Sequence, residues 1–162
     1  MNQFKKLTLI FVLGLFTSNL LAQKIGGGLA VSLEGTSPLG ISAQGLFNIT
    51  ETIDIAPAVT YYFFNDGSPD VSSSLIVFEA DGHYNFSAGD NLVIHPIAGL
   101  SFWRVGASAG GFNVSATEFG LNLGGGAILN YDESTSFFGK LKYTLIGGGG
   151  GLGIWAGVYF SL

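Results

Sequence analysis

The sequence predicts an all-β chain whose eight strands run antiparallel, up and down, around a transmembrane β-barrel. Three observations point there. From Ile25 onward, apolar side chains recur at every second position, and turn-forming clusters interrupt them. Charged residues inside the expected strands all fall on one face, and the opposite face carries none. Only 10% of the 162 residues are charged, where an ordinary soluble domain carries about 25%.

Taken in order, the chain starts with Lys5 and Lys6, the apolar run from Leu7 to Phe16, and Leu20-Leu21-Ala22. A basic start, a short apolar core and a small residue at the cut are the layout of a secretory signal peptide, expected here over residues 1–22. The apolar core is too short for a membrane-spanning helix, which needs about 20 residues. The expected mature domain is 23–162. It has no cysteine, which excludes disulfides, thiolate metal sites and an N-terminal lipidated cysteine. Its four basic residues, Lys24, Arg104, Lys140 and Lys142, stand against eleven acidic ones. That balance disfavours nucleic acid, whose recognition depends on neutralising phosphates.

The first strand is expected at about Lys24 to Glu34, ended by Gly35-Thr36-Ser37-Pro38, and the second from Leu39 to Asn48, with Thr50 to Thr52 as its turn. The third, Ile53 to Phe64, sets Ile55, Pro57, Val59, Tyr61 and Phe63 against Asp54, Ala56, Thr60 and Tyr62. Asn65 to Ser73 reads as a loop through its Asp-Gly and Pro-Asp pairs. The fourth strand, about Ser74 to Phe86, carries Glu79, Asp81, His83 and Asn85 on one face. The fifth begins at Leu92 and alternates to Trp103, with His95 on its polar face; Val105 to Ser115 reads as a small-residue loop. The sixth runs from Ala116 to Tyr131, with Glu118 and Asn122 on the polar face. The seventh, Ser136 to Ile146, carries Lys140 and Lys142, and Gly147 to Gly151 leads into the eighth, which ends at Leu162. Pro57 and Pro96 lie inside strands that need hydrogen bonds on both sides, so a bulge or a strand limit is expected at each.

Alternation alone does not say which face points outward. The uncharged face holds more aliphatic and aromatic bulk than the lumen of an eight-stranded barrel can pack, and glycines relieve the charged face. The charged face is therefore expected inside, with Asp54, Glu79, Asp81, His83, His95, Glu118, Lys140 and Lys142 forming an interior polar network in which the two lysines meet Glu118 and Asn122. A soluble barrel would have the reverse sidedness. Aromatic residues on the outward face gather near strand ends. Phe47, Phe86, Tyr131, Phe137 and Phe160 mark one girdle, and Tyr61, Phe63, Phe102, Phe119 and Tyr143 the other, as the two interfaces of a bilayer select.

Two short motifs read as chance. Gly106 to Gly110 fits the G-x-S-x-G of a hydrolase elbow around Ser108, and Gly148 to Gly153 fits G-x-G-x-x-G, but neither leads into a helix. The second reads instead as a flexible hairpin loop. No catalytic residue, cofactor or metal site is expected.

The ending Gly157-Val-Tyr-Phe-Ser-Leu162, with an aromatic two residues from an apolar last residue, resembles the closing strand of bacterial outer-membrane β-barrels. The chain as a whole resembles the small OmpA-like and OmpX-like eight-stranded barrels, and its glycine-rich strands resemble the Bacteroidetes outer-membrane β-barrel domain family. The resemblance implies residence in the outer membrane with both termini periplasmic, and contact with lipopolysaccharide and phospholipid. It also implies an assembly signal at Tyr159, Phe160 and Leu162, read by the barrel assembly machinery. The function expected is a structural envelope role with at most a narrow pore. A carrier or slow channel for small apolar molecules is the alternative. Some eight-stranded barrels modify lipid A with a histidine and a serine; His95 and Ser108 are the residues that would test this, but no segment matches those enzymes' motif.

Overall fold

A computed structural model describes residues 23–33, 38–64, 71–109 and 112–162. The expected leader, the turn at 35–37, the loop at 65–70 and Gly110 of the elbow motif lie outside these residues. The strands are β1 (Lys24–Ser32), β2 (Leu39–Asn48), β3 (Ile53–Phe63), β4 (Val71–Tyr84), β5 (Phe86–Ser87), β6 (Leu92–Ala109), β7 (Phe112–Asn130), β8 (Thr135–Ile146) and β9 (Gly149–Ser161). All pairings are antiparallel. Both β4 and β5 pair with β6, so they are two pieces of one wall strand and the barrel has eight staves. It closes where β9 returns to β1, from Lys24 opposite Ser161 to Ser32 opposite Gly153.

Sidedness is inverted relative to a water-soluble protein. Lys142, Asp81, His83 and Asp54 are each no more than 2% exposed, whereas Leu123 and Phe102 are more than half exposed. A row of large apolar side chains facing outward and ionised groups sealed inside are compatible with hydrocarbon as the surrounding solvent, not water. The lumen also holds Tyr62, Trp155, Phe138 and Tyr159. Tyr159 fits because its neighbour on β1 is a glycine: a Cβ on Gly26 would lie 2.5 Å from the Tyr159 ring.

Three stretches differ from expectation. Of the segment expected as a loop, Val105 to Ala109 extend β6 and Phe112 to Ser115 extend β7; the two pair as far as Ala109 with Phe112, while β4 pairs with β6 up to the same level. Small residues are weak strand formers but not breakers, and a long antiparallel ladder overrides that weakness. Gly149 to Gly153 belong to β9, so the glycine run is not a flexible loop. Ile146 pairs with Gly149, and only Gly147 and Gly148 turn the chain, with φ of +51° and +88°. Two successive positive φ values are those of a type I′ hairpin, which glycine adopts without steric cost. Finally, β4 starts at Val71 rather than Ser74.

Both prolines interrupt a ladder without inserting a residue. Between β2 and β3 the pairing stops at Gln44 with Ala58 and resumes, in the same register, at Phe47 with Ile55. Gly45 faces Pro57 across this gap. Proline has no N–H to donate, and the loss of that one donor removes two successive rungs. Between β4 and β6 the pairing stops at His83 with Ile97 and resumes at Phe86 with Ile94. Here Pro96 faces Tyr84, and the same missing donor is what separates β5 from β4. The outcome is a ladder gap at each: β3 runs on through Pro57 and β6 through Pro96, the second gap dividing the partner strand into β4 and β5, and neither proline limits its own strand or makes a bulge.

Candidate functional site

The interior polar residues come from strands on opposite walls. Alternation turns Glu79 and Asp81 of β4, Asn122 of β7, and Lys140, Lys142 and Thr144 of β8 into the lumen, where all are buried. Lys142 reaches across the barrel: its Nζ donates to Glu79 Oε1 at 2.6 Å and Asp81 Oδ2 at 2.7 Å. Asn122 Nδ2 donates to Asp81 Oδ1 at 2.8 Å and to Glu79 Oε1 at 3.2 Å, and its Oδ1 accepts from Thr144 at 2.9 Å. The ammonium also lies 4.2 Å from the centre of the Trp155 ring, a cation–π contact strengthened by exclusion of water. One ammonium thus clamps two carboxylates, and an amide and a hydroxyl take up remaining hydrogen-bonding capacity.

Lys140 does not join a carboxylate. It donates to Gln44 Oε1 at 2.6 Å, which also accepts from the Tyr159 hydroxyl at 2.9 Å. This ties β8 and β9 to β2 across the lumen. A further cluster joins Asp54 to Asn48 and, at 2.6 Å, to Asn85. Lys24 donates to Asn130 at 2.9 Å and Ser136 at 2.8 Å. His83 and His95 stack face to face with ring centroids 4.2 Å apart, and none of their ring nitrogens has a hydrogen-bond partner among the described residues.

Of the expected network, Asp54, Glu79, Asp81, His83, His95, Lys140 and Lys142 all lie inside. Glu118 does not: it is exposed, because β7 and β8 part at Gly120 opposite Ile146 and Glu118 lies one step beyond. Lys140 and Lys142 face Gly126 and Gly124 on β7, and their partners lie on the far wall. Of the partners expected for the lysines, Asn122 shares the clamp and Glu118 does not. Gln44, Trp155 and Tyr159 are members of the network that sequence reasoning left out of it, although alternation does turn all three inward.

The aromatic positions expected in the girdles lie on the outward face. Phe63, Phe86, Phe102, Phe119, Tyr131, Phe137, Tyr143, Tyr61 and Phe160 are exposed, and Phe47 is half-buried because its ring leans over Gly45. Tyr61 with Phe63, Phe102 with Phe119, Tyr84 with Phe86, and Tyr131 with Phe137 form ring contacts of 5.0–5.9 Å. At the C-terminus, Phe160 and Leu162 point outward while Tyr159 is buried.

The fold also meets the two motif questions. Gly106 and Ser108 lie within β6, not at a strand-to-helix turn. His95 and Ser108 are on that same strand, and thirteen residues of extended chain separate them by about 43 Å, so they do not form a dyad. Among the described residues there is no cluster of three or more histidines, cysteines or carboxylates able to hold a metal ion.

No protein-family description matches this sequence, and no curated protein does so either. Similarity appears in three dimensions. The chain superposes on Neisserial surface protein A with a TM-score of 0.68 at 17% identity, over 86% of this chain and 95% of that one. The fold is that of the small eight-stranded outer-membrane β-barrels. Two more such barrels align over almost their whole length. The N-terminal barrel domain of Pseudomonas aeruginosa OprF gives a TM-score of 0.64 at 17% identity, over 86% of this chain and 98% of that domain. The attachment invasion locus protein of Yersinia pestis gives 0.63 at 13% identity, over 85% and 94%. At such identities what the outer-membrane barrels share with this chain is architecture.

Proposed function

We propose that this chain is an integral barrel of the bacterial outer membrane, without enzymatic activity, that contributes to envelope structure and conducts poorly. Both termini lie on the periplasmic side, reached after export and removal of a leader at residues 1–22. Lipopolysaccharide and phospholipid surround the wall, and the barrel assembly machinery reads Tyr159, Phe160 and Leu162. The observation that carries the reading is the Lys142 clamp, which bridges opposite walls with Glu79 and Asp81 and obstructs the lumen at its level. Removing either side of such a buried ion pair leaves an uncompensated charge, so the clamp resists opening. Planar-bilayer recording tests this: brief or negligible conductance is expected, and large stable channels would refute it. Heat-modifiable migration of the protein from an outer-membrane fraction is the expected sign of location and barrel formation.

A second reading, a carrier or slow channel for small apolar molecules, is favoured by one observation. The wall contains a hollow of about 740 Å³, lined by residues of both the lipid-facing and the interior sets.

A further inference from the structure

The hollow lies at the ladder gap made by Pro57. Outward-facing residues there are small, Gly27, Ala43 and Gly45, so the wall is recessed, while Phe47, Phe78 and Phe160 stand around it. Its lining is largely apolar, but Gln44 and Glu79 from the interior also contribute. One hydrogen-bonding group at this place is unused. Gly45 faces Pro57 in register, so its carbonyl has no donor from β3. In hydrocarbon no water is at hand to satisfy it, and such an omission is costly.

We propose that this hollow is a binding site for small apolar molecules that carry one hydroxyl group, entering from the membrane phase. A hydroxyl can donate to the Gly45 carbonyl, while the body of the molecule lies on Ala43 and Pro57 between the phenylalanines. Depth favours such a ligand over a lipid headgroup. Pro57 is the third of the six outward residues of β3, with Ile53 and Ile55 before it and Val59, Tyr61 and Phe63 after it, so it lies well away from a headgroup anchored at either interface. The inference rests on the reading of this wall as lipid-embedded and deepens the carrier alternative.

The test uses the barrel in lipid nanodiscs and two probes observed by fluorine NMR, 4-fluorophenol and its ether 4-fluoroanisole, which accepts but does not donate. Wild-type barrel, corrected for partition into empty nanodiscs, should retain the phenol about tenfold more strongly than the ether, the factor of one hydrogen bond made away from water. Pro57→Val supplies the missing N–H to Gly45 and should bring the two probes within about twofold. Ala43→Phe fills the hollow and should abolish retention of both, so the proposal does not depend on the folding of one variant. Equal retention of phenol and ether by the wild type, or a phenol preference that survives in both folded variants, would overturn the site. Failure of the barrel to enter nanodiscs would remove the embedded reading and the site together.

Discussion

Pro57 and Pro96 inflict the same injury on two places in one wall, and the side chains that face them differ. At each, a lipid-facing proline withholds a single N–H and two rungs vanish without a change of register. Opposite Pro57 stands Gly45, with Ala43 and Gly27 nearby, and the recess stays open. Opposite Pro96 stands the far larger Tyr84, whose ring packs on Phe86 at 5.0 Å. The interior differs too. Behind the first break lie Gln44 and Glu79, held by Lys140 and Lys142; behind the second lies the histidine stack, held by nothing polar among the described residues. Backbone chemistry sets where a ladder fails, and the size of neighbouring side chains sets whether the failure becomes a cavity.

The contrast can be broken hardest on the ionic side. Lys142→Met strands Glu79 and Asp81 without their cation and should cost about 3–5 kcal/mol, read as a lowered urea midpoint for the folded barrel in detergent; replacing Lys140 as well should lower resistance to heat further. On the imidazole side the sign reverses. Replacing His83 and His95 together with Phe removes four unsatisfied nitrogens while keeping the stack, and should leave stability unchanged or raise it by about 1–3 kcal/mol; a large loss would mean the rings carry hidden hydrogen bonds. Pro96→Val should join β5 to β4 by restoring the donor to Tyr84, worth about 0.5–1.5 kcal/mol, and amide exchange at the new valine should be slow. Asp132 serves as a reference outside both breaks. In the turn after β7 its carboxylate accepts from the backbone and hydroxyl of Ser134 and the backbone of Thr135. These bonds hold its pKa below the ordinary aspartate range. Its contribution is therefore present above the unfolded-state value and is lost as pH falls through the folded-state value. Asp132→Ala should flatten the acid side of the stability profile slightly, and leave both proline regions unaltered.

Much of this was legible in the residues. Period-two alternation located every stave, and the confinement of charge to one face gave the sidedness that Lys142 and Leu123 then display. What it could not supply was which walls meet. Lys142 and Glu79 are separated by more than sixty positions and by several staves, and their encounter depends on the stagger of the closed sheet, which no local pattern encodes. The stagger also decides height: Glu118 has the right parity for the lumen but stands above the last rung with β8. Residues Val105 to Ala109 misled because glycine, alanine and serine read as loop in isolation, whereas a partner strand on each side of β6 supplies the order they lack alone. The prolines were legible as trouble, but whether the trouble would be a bulge, a boundary or a recess depended on Gly45 and Tyr84, across the sheet.

The pairing of Lys24 with Ser161 joins the first rung to the last. A sheet entering hydrocarbon therefore holds an unzipped seam until β9 meets β1, and a partial sheet there presents bare amides to a solvent that cannot answer them. Such a chain has few stopping points on the way to its native shape. It must complete the circle in one concerted passage, or be held by another protein until it can.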